Sequence, residues 1–78
     1  MTLRISEIEG SDKLRVDQVF KVFGKECLEL YGYIEHDKDD WNSWYFYANR
    51  TVLLGLEELE MISNVVRDKQ NAFSTKAP

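Results

Sequence analysis

At 78 residues, 44% hydrophobic and 13% aromatic, the chain is sized for one small domain with a compact core and is too apolar to remain disordered. Its single cysteine excludes an intramolecular disulfide and a cysteine-based zinc framework, and no apolar run reaches the length of a signal peptide or a transmembrane helix. The net charge of −4 is concentrated in residues 35–60, where seven acids against Lys38 and Arg50 give −5, a field that repels phosphate backbones and attracts basic surfaces. The expectation is a cytoplasmic protein that enters no membrane and does not bind nucleic acid directly.

In chain order, TLRISEIE reads as a short strand or an extended lead-in. Residues 12–23 fit two templates. As a strand, Leu14, Val16, Phe20 and Val22 share a face; as a helix capped by Ser11 or Asp12, Val16, Val19, Phe20 and Phe23 form a stripe closed by Gly24. The β-branched and aromatic content favours the strand, with the helix as the alternative. VFKVF followed by Gly24 and Lys25 then predicts one hairpin. CLELYGYIEH alternates leucine, tyrosine and isoleucine, SWYFYA is aromatic, and residues 37–42 supply a polar turn between them, predicting a second hairpin. Residues 51–54 either continue the aromatic strand or pair back on it after Asn49 and Arg50.

The last element is the clearest. In LLGLEELEMISNVVRDKQNAF, Leu56, Leu59, Ile62, Val66 and Phe73 recur at helical spacing, with Met61 and Val65 widening the stripe. Gly55 suits the N-cap with Glu58 at the third helical position, and the acids lie in the first turns with Arg67 and Lys69 near the end, as the helix dipole favours. The predicted fold is α+β: a small antiparallel β-sheet of three to four strands in a meander, with a C-terminal amphipathic α-helix packed on one face. The alternative adds a short helix at 12–23 (αβββα). Residues 1–73 form the single domain and 74–78 a flexible tail.

Residues 36–47, HDKDDWNSWYFY, invite a metal or catalytic reading. An EF-hand loop fails at Trp41, where an oxygen ligand is due, and at Asn42, where glycine is due, and no glutamate follows at the required distance. His36 is the lone histidine, so neither a metal nor another cofactor is expected. Cys27 and His36 on one strand would stand about 30 Å apart, too far for a nucleophile and its base. A helix on a short sheet offers little volume for carboxylate acid–base catalysis, and the four glycines begin no phosphate-cradling motif. The chain is therefore expected not to be an enzyme.

Strand alternation places Leu28, Leu30 and Ile34 on one side of the third strand and Cys27, Glu29, Tyr31 and Tyr33 on the other; Trp44, Phe46 and Ala48 oppose Tyr45 and Tyr47 on the next. With the apolar sides under the helix, all four tyrosines share the uncovered face. Cross-strand tyrosine pairs stabilise a sheet face by themselves, but four together form a patch of the kind enriched at interfaces. The candidate partner-binding residues are Tyr31, Tyr33, Glu35, Asp37, Asp39, Asp40, Tyr45, Tyr47, Glu57, Glu58 and Glu60. Their acidity points to a protein partner with a basic surface, such as a nucleic-acid-binding complex, rather than to nucleic acid itself. In size, acidity and lack of motif the chain resembles the small inhibitors that bacteriophages carry against host defence systems, anti-CRISPR proteins among them, a likeness of class that transfers no functional residue. It implies a non-enzymatic binding module that occludes or mimics a nucleic-acid surface. The alternatives are a structural homodimer through the tyrosine face or an edge strand and, lower, a nucleic-acid-binding sheet.

Overall fold

A computed structural model describes residues 2–37, 39 and 43–76, the last four by their backbone alone. Four strands, β1 (Thr2–Glu7), β2 (Leu14–Val22), β3 (Lys25–His36) and β4 (Trp44–Ala48), pair in chain order as one antiparallel sheet. The helix α1 (Leu56–Lys76) packs on one face of it, giving the α+β architecture expected. The alternative helix over 12–23 does not form: those residues supply β2, which is paired with β1 on one edge and β3 on the other. Val16, Val19, Phe20 and Val22 lose side-chain freedom in a helix but fit a pleated surface, the first two paired on both sides and the last two with β3 alone. The N-terminal segment is a true strand, with Ile5 opposite Val16 and Glu7 opposite Leu14.

Each connection follows from local chemistry. Between β1 and β2, the Ser11 N–H donates to the Ile8 carbonyl at 3.1 Å across Gly10, whose φ of 75° is open to glycine at no steric cost. Between β2 and β3, Phe23 and Gly24 both have positive φ, 50° and 79°, the mark of a two-residue type I′ hairpin. After β4 the chain bends at Asn49 and Arg50; the Asn49 N–H donates to the Tyr31 carbonyl at 2.7 Å, and Arg50 pairs with Glu29. Gly55 caps α1 as expected. Its carbonyl accepts the Leu59 N–H at 3.0 Å, and its own N–H donates to Glu58 Oε1 at 3.2 Å.

The core comprises Leu3, Leu14, Val16, Tyr31, Ile34, Trp44 and Ile62, with Ile5, Phe46, Val52, Leu54, Val65 and Val66 packed around it. Val16 and Ile34 are fully buried in the centre, and burial of such side chains stabilises by about 2 kcal/mol each. The helical stripe is only partly engaged. Ile62 is buried and Val65 and Val66 half-buried, but Leu56 and Leu59 are 73% and 50% exposed, because α1 overhangs the sheet at its start. The side chain of Phe73 lies outside the described residues. The helical backbone continues to Lys76, so it includes the first three residues of the segment expected as a tail.

Two irregularities shape the surface. Opposite Val16 and Asp17 stand Gly32 and Leu30, so Tyr31 is an extra residue in β3, a β-bulge. The β1 ladder stops at Thr2 opposite Val19, and the β4 ladder stops at Ala48 opposite Gly32. Residues 20–27 therefore leave the sheet as a two-stranded arm, and the molecule measures 51 × 29 × 20 Å.

Candidate interaction surface

The bulge decides which side chains face away from α1. C-terminal to it, β3 alternates as expected: Ile34 is buried under the helix while Tyr33 and Glu35 point to the uncovered face. N-terminal to it the phase reverses, so Leu28 and Leu30 join Tyr33 on the uncovered face, and Glu29 and Cys27 move to the helix side. The expectation that all four tyrosines share the uncovered face is thereby corrected. Tyr31 is 5% exposed in the core, where its hydroxyl donates to Gln18 Oε1 at 2.8 Å. In β4 the expected division holds, with Trp44 buried and Phe46 against the core, opposite to Tyr45 and Tyr47.

Three tyrosines remain on that face. Tyr33 is the cross-strand partner of Tyr47, and Glu35 of Tyr45. The rings of Tyr45 and Tyr47 meet edge to face, 5.9 Å between centroids at 88°, a geometry the ring quadrupoles favour. Tyr47 is 56% and Leu28 46% exposed, so the face shows water a broad aromatic and aliphatic surface.

The acidic turn is tied into it. The Tyr45 hydroxyl donates to Asp37 Oδ2 at 2.5 Å, and Asp37 Oδ1 accepts the Asp39 N–H at 2.8 Å. The Asp37 N–H donates to the Ser43 carbonyl at 2.9 Å, closing the loop. Asp37 thus organises the turn and holds Tyr45 in place, while Asp39 is exposed. Asp40 lies outside the described residues, as do Trp41 and Asn42. Glu35 is ion-paired with Lys13 at 3.3 Å.

Sequence reasoning missed a buried charge beneath this surface. Asp17, on the uncovered side of β2, is 1% exposed, and both its carboxylate oxygens accept from Arg15 Nε, at 2.8 and 3.0 Å. Hydrogen bonding to Asp17, and then its charge, raises the pKa of Arg15 above the ordinary arginine value, with Tyr33 adding to the effect. The ion pair thus lies beside the tyrosines.

Compared with protein-family models, curated proteins and solved structures, the chain matches none. The reading of this surface therefore rests on its geometry.

The helix-start acids stand elsewhere. Glu57 and Glu58 line a shallow cleft with Thr2 and Leu3, whereas Trp44 and Lys69 line one with Glu7 and Asp12. α1 thus begins at the end of the sheet where β1 starts and finishes at the end that carries the acidic turn. Glu57, Glu58 and Glu60 form no single patch with Asp37 and Asp39, although the strand does break at Asn49 and Arg50. The carboxylate of Glu58 is moreover engaged in the cap.

The remaining reactive side chains are apart from one another. Cys27 is in the arm and His36 at the far end of β3, where its Nε2 lies 3.5 Å from Asp12 Oδ2 and its ring stands edge-on to Trp44 at 5.1 Å. Among the described residues no group of three or more His, Cys, Asp or Glu side chains is placed to hold a metal. The larger cleft, about 450 Å³ and lined by Glu7, Asp12, Lys13, Trp44 and Lys69, mixes both charges; Lys69 Nζ lies 5.7 Å from the centroid of the Trp44 ring. No helix among the described residues is long and apolar enough to cross a membrane.

Proposed function

We propose that the protein is a non-enzymatic binding module that docks on a basic protein surface through the uncovered sheet face. The supporting observation is the junction of an aromatic and aliphatic face (exposed Leu28, Tyr45 and Tyr47 with the half-buried Tyr33) with the carboxylates of Asp37 and Asp39 at its edge. The rings supply rigid contact area at little entropic cost, and the carboxylates steer and orient through lysines and arginines of the partner. Sites that bind nucleic acid present both features, a cationic surface and planar stacking or apolar contacts, so this face competes for them with the true ligand. An inhibitor of a nucleic-acid-binding complex, of the kind that phages direct against host defence, is the functional class that fits this chemistry.

The experiment is competition. A complex captured from host lysate by the immobilised chain is identified, purified and loaded with its nucleic acid, and the chain is titrated in. Release of the nucleic acid, weakening as salt rises, is the expected result. A ternary complex in which the nucleic acid stays bound removes the occlusion mechanism.

A further inference from the structure

The arm and the start of α1 carry exposed apolar side chains that neither the core nor the proposed binding face uses. On the arm, Phe20 and Val22 are 37% and 43% exposed on the helix side of β2, and Phe23 at the tip is 101% exposed. At the helix start Leu53 is 84%, Leu56 73% and Leu59 50% exposed. Both patches lie at the same end of the molecule: Val19, the residue before the arm, pairs with Thr2, and Thr2 lines the cleft with Glu57 and Glu58.

Phe23 has no local reason to be where it is. Its φ of 50° is in the left-handed region, which bulky side chains rarely adopt. A type I′ turn favours asparagine or aspartate there before Gly24, and a fully exposed ring gains nothing from packing within the monomer. The arm itself is two strands without a cover, an arrangement with little stability of its own.

The charges of the two patches are opposite. On the face that carries Phe20 and Val22 the arm presents Lys25, the cross-strand partner of Val22, while Lys21 and the arm's one acid, Glu26, which is paired with Arg4, lie on the opposite face. The helix start carries Glu57 and Glu60 beside the exposed leucines, Glu58 being engaged in the cap. One molecule thus holds both halves of a complementary contact at one end, the requirement for an isologous dimer, in which a two-fold axis satisfies both contacts at once.

We infer that the chain self-associates through this end, the Phe23 arm of one copy lying by the face of Phe20 and Val22 on the Leu53, Leu56 and Leu59 patch of the other, with Lys25 facing Glu57 and Glu60. The contact is separate from the tyrosine face and stands or falls independently of the function proposed above.

Sedimentation equilibrium across a range of concentrations tests it. Wild-type protein is expected to reach twice the chain mass, and Phe23→Asn to stay at the chain mass. Because Asn followed by Gly24 suits the turn better, the variant's thermal midpoint is expected to be no lower than that of wild-type protein diluted to monomer. A purely structural Phe23 would leave the mass unchanged. Glu57→Lys with Glu60→Lys, and separately Lys25→Glu, are each expected to be monomeric alone and to form a heterodimer when mixed. A monomeric wild type, a dimeric Phe23→Asn variant, a mixture that stays monomeric, or a dimer lost instead on Tyr47→Ala would each overturn the inference, the last by moving the contact to the sheet face.

Discussion

Gly32 carries the tightest steric constraint among the glycines. A Cβ there would lie 2.0 Å from the Tyr47 carbonyl oxygen and 2.9 Å from Phe46 Cε1. Backbone cannot yield as a side-chain tip can, so Gly32→Ala is expected to cost about 3 kcal/mol, read as a lowered urea midpoint, and to loosen β4 from β3. A loss below about 0.5 kcal/mol would mean that the strands separate easily there. The sequence offered a signal at this position, since an isolated glycine inside a strand pattern marks a bulge or a close backbone approach, and strict alternation through Gly32 overrode it. That one residue of register is what puts Tyr31 in the core and not on the uncovered face. Asp17 was not legible in this way. Its carboxylate is held by Arg15 from two positions away, a side-chain arrangement that periodicity does not encode. Arg15→Ala leaves that carboxylate without its guanidinium partner, so it is expected to lower the thermal midpoint more than Lys13→Ala, whose ion pair with Glu35 is more exposed.

Among the elements, the second hairpin and the cap of α1 were readable because their signals are local: alternating apolar residues around a polar turn, and Gly55 followed by Glu58 at capping-box spacing. The extent of helix packing was not. A helix of 21 residues is about 30 Å long, whereas a strand of six residues, the length of β1, spans about 20 Å, so the apolar stripe outruns the part of the sheet that is four strands wide. The pattern shows which side of a helix is apolar and not how much of that side finds a sheet beneath it. The contrast is measurable. Ile62→Ala, at the buried centre, is expected to cost about 3 kcal/mol, a large fraction of the stability of so small a domain. Leu56→Ala, at the overhang, is expected to change monomer stability by less than about 0.5 kcal/mol in urea denaturation. Equal losses at the two positions would contradict the overhang of the helix.

Across the whole molecule, charge is divided between two ends. Asp37 and Asp39 lie beside the tyrosine face, and Glu57 and Glu60 lie in the first turns of α1, at the end where β1 starts, with the length of β1 between them. Composition revealed that the middle of the chain is acidic, but only the path of α1 back along the sheet separates those acids into two surfaces. The proposed function assigns partner binding to the first of them. Capture of a protein partner by the immobilised chain, compared with Tyr33→Ser/Tyr47→Ser and Asp37→Asn/Asp39→Asn variants shown to be folded, tests that assignment most directly. The account predicts that a reproducible partner is retained by the wild type at low salt, released at high salt and lost with either variant, and that it is still captured by Tyr31→Phe, whose ring is buried away from the tyrosine face. Capture that survives both pairs of substitutions would contradict it.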